Sequence, residues 1–303
     1  MERILVTGST GLVGSCFQGD KFIRTNHLGC DLTDPRQVDR LFSSVRPDAV
    51  IHCAAKVGGL KANMSQKGDF FYQNIMMNTN VIEKSRKYGV QKLVAFLSTC
   101  VFPNDVEYPL TPDKIHLGKP HFSNDAYAYA KRMSDIQIQA YREQFGLRYF
   151  SVVPTNIYGP GDNYHLENGH VVPTLIHKFY LAKQKGESVK IWGTGSPLRE
   201  FVYSEDVASI TEKLLYCYEE DEPVIISTSQ EYSIRELAES IAKIMDFKGD
   251  IVFETEKPDG QLRKPSDNSV VKRMFPDFNF TPLHEGLEKS IRWFIDNYPK
   301  VRK

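Results

Sequence analysis

Disulfide and metal-binding patterns are missing from this chain. Its five cysteines, Cys16, Cys30, Cys53, Cys100 and Cys217, are odd in number, scattered, and never form a C-x-x-C pair. That spacing argues against a disulfide framework and a zinc site, so no metal is expected and a reducing compartment is. Net charge is missing too: 38 Lys and Arg balance 38 Asp and Glu. The balance removes the whole-molecule field with which a general nucleic-acid binder collects phosphate, so no nucleic-acid partner is expected and any anion site must be local. No window approaches eighteen consecutive apolar residues, and Ile4-Leu5-Val6 come without a charged leader and an apolar h-region. Neither a membrane partner nor export is expected, which leaves a cytoplasmic location. Internal repeats, low-complexity tracts and long charge blocks are also lacking, so the motifs must decide function.

What is present is a globular composition: 303 residues, 41% hydrophobic and 25% charged, enough for one large core or two linked ones. Apolar runs at Arg3 to Thr7, Ala49 to His52, Leu93 to Ser98 and Tyr149 to Pro154 read as buried strands. Arg36 to Ser44, Phe70 to Tyr88 and Ala126 to Phe145 read as helices between them. This alternation predicts right-handed crossovers and an α/β fold, a Rossmann-type doubly wound parallel sheet over residues 1–158. From about Gly159 the turn signals Gly159-Pro160-Gly161-Asp162, Gly193-Thr194-Gly195 and Pro258-Asp259-Gly260 punctuate mixed elements. They predict a smaller C-terminal substrate-binding domain over 159–303, with a return to the main sheet at about 201–229.

Directly after the first strand stands Gly8-Ser9-Thr10-Gly11-Leu12-Val13-Gly14, a G-x-x-G-x-x-G loop. A strand, such a loop and a helix start form a dinucleotide-binding pattern, because bare backbone N–H groups can meet a pyrophosphate there. Gly8 allows the tight turn, Gly11 a close approach to the pyrophosphate, and Gly14 a helix close to the sheet. Near the end of the second strand, Phe22-Ile23-Arg24-Thr25-Asn26 offers Arg24 where NAD binders place a carboxylate for the ribose 2′-hydroxyl. That favours NADPH/NADP+ as cofactor, although Arg24 also reads as a solvated surface residue. Arg24 follows Gly14 by only ten positions, so the first helix must be short and the adenosine half of the site loosely framed.

Tyr127-Ala128-Tyr129-Ala130-Lys131 is a Y-x-x-x-K whose i, i+4 spacing puts Tyr127 and Lys131 on one helix face. A phenol with its ordinary pKa near 10 exchanges protons poorly at neutral pH, so a fixed cation beside it is what tyrosine acid/base chemistry requires. Leu97-Ser98-Thr99-Cys100 ends a strand about thirty residues upstream. There Ser98 can hydrogen-bond a carbonyl oxygen beside the tyrosine. Ser98, Tyr127 and Lys131 resemble the triad of short-chain dehydrogenases.

Further segments sharpen the resemblance: Lys56-Val57-Gly58-Gly59-Leu60, Ser98-Thr99-Cys100-Val101-Phe102-Pro103, Pro154-Thr155-Asn156-Ile157-Tyr158-Gly159-Pro160, Asn168-Gly169-His170-Val171-Val172-Pro173 and Trp192-Gly193-Thr194-Gly195. With the Y-x-x-x-K they resemble the GDP-L-fucose synthases, extended short-chain dehydrogenases, nearly end to end. The resemblance implies a GDP-sugar substrate, GDP-4-keto-6-deoxy-D-mannose. The sugar would be inverted at C3″ and C5″ through enolates and then reduced at its C4″ ketone with NADPH. Epimerisation beside a ketone needs a base and an acid on opposite faces; the resemblance gives these jobs to Cys100, proposed as base, and His170, proposed as acid. It adds Thr10, Leu12, Val13, Asp31, Ala54, Ala55, Pro154, Asn156, Ile157 and His170 to the cofactor contacts of Gly8, Gly11, Gly14, Arg24, Tyr127 and Lys131. Around the GDP-sugar it implies Ser98, Asn156, Lys178, Trp192, Arg199, Asp259 and Lys264. A homodimer through the long helices Phe70 to Tyr88 and Ala126 to Phe145 is also implied.

Without the resemblance other readings stay open. Cys100 reads equally as a small buried residue and His170 as a surface or core histidine. Lys178, Arg199 and Lys264 read as solvated charge, Trp192 as packing, and Asp259 and Asn156 as turn residues. At the level of activity, an NAD-retaining nucleotide-sugar 4-epimerase, a simple 4-reductase and a non-catalytic NADP-binding regulator remain. The run Cys100-Val101-Phe102 lacks the acidic groups of a dehydratase.

Overall fold

The computed structural model describes residues 1–257 and 259–303. In chain order the strands are β1 (Ile4–Thr7), β2 (Phe22–Thr25), β3 (Ala49–His52), β4 (Lys92–Phe96), β5 (Arg148–Pro154), β6 (Asn156–Tyr158), β7 (Val189–Trp192), β8 (Leu198–Tyr203), β9 (Val224–Ile226), β10 (Glu231–Ser233) and β11 (Ile251–Glu254). The helices are α1 (Pro35–Val45), α2 (Leu60–Ser65), α3 (Lys67–Lys87), α4 (Asp125–Phe145), α5 (Val171–Lys185), α6 (Ser204–Cys217), α7 (Ile234–Ile244), α8 (Ser269–Met274) and α9 (Leu283–Asn297).

Strands β2-β1-β3-β4-β5-β9 form one parallel sheet. Its central strands β1, β3 and β4 are buried at every position because both faces are covered. Ile4, Val6, Ile51 and Val94 point into a core shared with Val207, Ile210 and Leu214 of α6 and Val271 of α8. Leu5, Val50, Leu93 and Ala95 point the other way, into Val38 and Phe42 of α1, Val81 and Ile82 of α3 and Ile138 of α4. The sheet is therefore doubly wound, as its alternating elements predict. Helix α1 starts where Asp34 accepts from the Arg36 N–H with Pro35 at the first position, and ends on left-handed Arg46; such an N-cap contributes about 1 kcal/mol.

The remaining strands make two smaller sheets, β10-β8-β6 and β11-β7. With α5, α7 and α9 they enclose a second core around Ile176, Phe179, Leu237, Ile241, Leu287 and Phe294. The chain passes between the two lobes more than once. Strand β6 leaves the main sheet to pair with β8, and β9 comes back to pair with β5 after α6. Of the stretch 201–229, α6 and β9 lie with the main sheet; β8 pairs in the smaller one, although its Val202 packs into the main core.

Two local expectations need correcting. No α-helix follows the glycine loop: Gly14–Cys16 is a single 3-10 turn, and Phe22 already begins β2. The fourth strand stops at Phe96, short of Ser98, because Ser98 instead caps a 3-10 turn at Thr99–Val101. Among the described residues no helix is long and apolar enough to cross a membrane.

Candidate active site

Strand β1 lies between β2 and β3, so the chain reverses its direction of travel across the sheet there. In open α/β sheets ligands bind outside the carboxyl ends of the strands at such a point. Gly8 sits there with φ +68°, and a Cβ on it would lie 2.7 Å from the backbone N and Cα of Ala54. A Cβ on Gly14 would lie 2.2 Å from the Gly8 carbonyl oxygen. The loop is thus folded onto itself and onto the segment that follows β3, with Gly11 N–H donating to Gly8 O at 2.9 Å. Among the described residues no acceptor takes the N–H groups of Thr10, Leu12 or Val13, which suits a bound pyrophosphate. With only a 3-10 turn behind it, the loop would meet an anion with backbone N–H groups rather than with a helix dipole. Arg24 pairs with Val6 in the sheet and lies across the loop, its Nη2 donating to Ser9 O at 2.8 Å and its Nη1 to Gln18 Oε1 at 3.2 Å. Asp31 is exposed before α1, its carboxylate accepting from Thr33 N at 2.9 Å and Thr33 Oγ1 at 2.7 Å. Ala54 N–H donates to Thr7 Oγ1 at 3.3 Å, and Ala55 is half-buried beside it.

The three residues expected as a triad lie around the start of α4 and the turn after β4. Ser98 is half-buried, and its Oγ accepts from Cys100 N–H at 3.4 Å, leaving its own proton for another acceptor. Tyr127 lies in the first turn of α4, in a small cluster with Ala62, Phe70 and Cys100. Burial, with a smaller push from Cys100, drives the Tyr127 phenol above its usual range. Lys131 is buried one turn on; its Nζ donates to Phe96 O at 2.8 Å and stands 6.0 Å from the Tyr127 ring centroid. Burial pulls Lys131 down to about 8, with Cys53 opposing the fall. Burial and Cys100 set the upward direction at Tyr127, and the depression of the phenol by Lys131 stays an expectation of the Y-x-x-x-K spacing.

His170 caps α5 on the facing lobe and is exposed. Gly169 N–H donates to His165 O at 2.9 Å, and Gly59 N–H donates to Asn168 O at 2.7 Å. The histidine loop is therefore sewn to the Gly58-Gly59 segment; a Cβ on Gly58 would come within 3.2 Å of Phe70 Cζ. Phe70 in turn stands edge-on to Tyr127, with centroids 6.4 Å apart. Asp162 is buried nearby, one carboxylate oxygen accepting from Asn163 N at 2.6 Å and the other without a partner among the described residues. Burial pushes its carboxyl up, and His170 is the first of the charges that oppose this.

The residues expected at the sugar nucleotide gather on the second lobe and on the loop after β11. Lys178 donates to Lys190 O at 3.0 Å and is pulled down by burial. Trp192 is exposed, with Lys257 Nζ 5.9 Å from its ring. Arg199 donates to Leu198 O at 2.6 Å and is likewise lowered by burial. Lys264 is lowered by burial, with Cys100 opposing the fall and Arg199 adding to it. Pro258 lies outside the described residues. Asp259 accepts from Thr194 N at 2.9 Å and Thr194 Oγ1 at 2.8 Å, so both of its carboxylate oxygens already serve the joint between two loops. Asn156 donates to Glu200 O at 2.8 Å and ties β6 to β8. Pro154 and Ile157 are strand residues, paired with Ile226 and Val202.

A model of the NAD dependent epimerase/dehydratase family matches residues 4–227. A GDP-L-fucose synthase of Dictyostelium discoideum is 45% identical over 313 residues, covering 100% of this chain and 98% of that relative. The chain belongs to the GDP-L-fucose synthase family. A probable GDP-L-fucose synthase of Drosophila melanogaster is 39% identical, with 100% of each chain covered. The solved GDP-L-fucose synthetase of Naegleria fowleri bound to NADP is 41% identical and superposes with a TM-score of 0.95, covering 100% of this chain and 95% of that one.

Behind the family's motifs lies a buried polar relay that sequence reasoning passed over. Thr7 Oγ1 meets His52 Nδ1 at 2.7 Å, His52 Nε2 meets Asn78 Oδ1 at 3.0 Å, and Asn78 Nδ2 donates to Ala130 O at 3.4 Å. Burial and the Lys131 charge lower His52 to about 3, so its ring is neutral. The relay joins the end of β1, beside the glycine loop, to the helix that carries Lys131. One turn away, Asn74 both donates to Lys56 O and accepts from Lys56 N at 3.0 Å, fixing that backbone. The available signal was polar residues four apart, Asn74 and Asn78, on a helix face otherwise buried.

Proposed function

We propose that this chain converts GDP-4-keto-6-deoxy-D-mannose to GDP-L-fucose by epimerisation at C3″ and C5″ and reduction at C4″. The observation that carries this reading is the sharing of one small cluster by Cys100 and Tyr127, with Ser98 hydrogen-bonded to the Cys100 backbone. A carbon acid and its ketone oxygen can be addressed together in such a site. Cys100 removes the proton beside the ketone, while Ser98 and Tyr127 hold the oxygen on which the enolate charge collects. His170 returns a proton from the facing lobe, and the enclosed Asp162 carboxyl steadies the charge on its side of the loop. NADPH, when bound, supplies the hydride for C4″. Tyr127, kept protonated by its burial, then donates its proton to the alkoxide.

The residues fit the cofactor. In the Gly8 to Gly14 loop the N–H groups of Thr10, Leu12 and Val13 have no acceptor among the described residues, Gly8 and Gly14 admit no side chain, and Arg24 supports a 2′-phosphate from across the loop. Residues 1–158 together with α6 and β9 hold the cofactor; the rest of 159–303 covers the sugar nucleotide, using Lys178, Trp192, Arg199 and Lys264, with Asp259 and Asn156 shaping the surface. The enzyme works in the cytoplasm as a homodimer, which is supported by exposed Phe71 and Tyr72 on α3 and Met133 and Ile136 on α4, two helices that pack together.

The test is to incubate the protein with GDP-4-keto-6-deoxy-D-mannose and NADPH in D2O, beside Cys100→Ser and His170→Asn variants. GDP-L-fucose carrying deuterium at C3″ and C5″ from wild type, with exchange lost in the variants, is the expected result. NADPH oxidation without exchange would make the protein a simple 4-reductase.

A further inference from the structure

Asn124 belongs to none of the motifs, yet its side chain grips Cys100. It stands three positions before Tyr127 at the start of α4, and its Nδ2 donates to the Cys100 sulfur at 3.0 Å. Its backbone is fixed on both sides, with its N–H donating to His121 O at 3.1 Å and its carbonyl accepting from Ala128 N at 2.9 Å. Its Oδ1 is buried and has no partner among the described residues, so the amide is committed to the sulfur and not to a cap or a turn.

The direction of this hydrogen bond matters. Cys16 and Cys217 donate their S–H groups to the Leu12 and Lys213 carbonyls, at 3.4 Å and 3.2 Å, which favours the neutral thiol. Cys100 receives a hydrogen bond instead, and a donor to sulfur stabilises the thiolate. The neighbouring titratable and charged groups are Tyr127, Lys131 and Arg132 on α4 and Lys264 on the loop after β11; a charge on this sulfur would act on both Lys264 and Tyr127.

We propose that Asn124 is a positioning residue for proton removal, aiming the Cys100 sulfur and stabilising its thiolate form. The thiolate takes the proton beside the ketone, the S–H bond forms as the C–H bond breaks, and the electron pair moves onto the ketone oxygen held by Ser98 and Tyr127. This rests on the reading of Cys100 as the epimerisation base. A reversed amide, with Oδ1 toward the sulfur, would favour the thiol and predicts the opposite pH shift.

The experiment uses the full chain with NADPH and compares wild type with Asn124→Ala and the isosteric Asn124→Asp. Alkylation of Cys100 by iodoacetamide is followed against pH by peptide mass spectrometry, and deuterium wash-in at C3″ and C5″ is followed by NMR. In Asn124→Ala the midpoint of the alkylation profile should move up, with alkylation and wash-in at pH 7 falling about tenfold and NADPH affinity unchanged. In Asn124→Asp, where a carboxylate faces the sulfur, both should fall further. A midpoint that stays or moves down in both variants, with wild-type wash-in, would overturn the proposal. Wild type that alkylates as expected but shows no wash-in would overturn the epimerase reading and leave the thiolate contact standing.

Discussion

Replacing Lys131 with methionine should make the protein more stable while abolishing its activity. The ammonium is fully enclosed, and burial lowers it from 10.5 to about 8. At about 1.4 kcal/mol per tenfold change in proton affinity, that fall is a cost of about 3 kcal/mol for keeping the charge inside at neutral pH. Below about pH 8 the lysine is charged in the folded and unfolded chains alike, and the whole cost is present. Between about 8 and 10.5 the unfolded chain holds a proton that the folded one has shed, so wild-type stability rises with pH. Methionine has a similar volume and no charge, but it loses the hydrogen bond to Phe96 O, worth about 1 kcal/mol. The net gain at pH 7 is then about 2 kcal/mol, shrinking to nothing or reversing by pH 10.5. Urea unfolding of both proteins at a series of pH values from 7 upward measures the difference directly, because His52, which the Lys131 charge lowers further, is neutral in the folded wild type throughout that range. NADPH oxidation should vanish in the same variant. A variant no more stable than wild type at pH 7, or a gap that holds constant up to pH 10, would refute the reasoning.

Gly8→Ala should lower stability and NADPH affinity together, since positive φ costs a Cβ-bearing residue about 1–2 kcal/mol and contact with the Ala54 backbone about 1–3 more. A dissociation constant raised by less than about tenfold in a fluorescence titration, with an unchanged unfolding midpoint, would contradict the close approach. Arg24→Ala should weaken NADPH binding about tenfold and leave NADH unaffected, because a guanidinium on a phosphate is worth on the order of 1–2 kcal/mol; equal losses for both would deny it the 2′-phosphate. Asp259→Ala frees Thr194 by removing two hydrogen bonds, at about 1 kcal/mol each. Its KM for the GDP-sugar should rise about tenfold with kcat nearly intact, whereas a loss in kcat alone would place the carboxylate in the chemistry.

Strands β1 and β3 were legible because burial on both faces demands an unbroken apolar run, and α1, α3 and α4 because a long periodic face outlasts uncertainty at its ends. The small sheets were not. Glu231–Ser233 of β10 is half-buried at every position, so its side chains give no alternation to read. The missing first helix escaped for the opposite reason, since a glycine loop normally announces one. In the site, Tyr127 and Lys131 declared themselves through spacing along one helix. Asn124 and Cys100, 24 positions apart, and His52 and Asn78, 26 apart, meet only through the fold. No local pattern marks such pairs.

The bare 3-10 turn behind the glycine loop bears on turnover. With no first crossover helix, the glycine loop is flanked on the β2 side by short turns, exposed Arg24 and exposed Leu28. An enzyme that regenerates its own nicotinamide can afford a sealed berth, but one that spends a reductant on every product molecule must discharge the oxidised form each cycle. A berth left open on one side would let spent cofactor slip out without disturbing the second lobe.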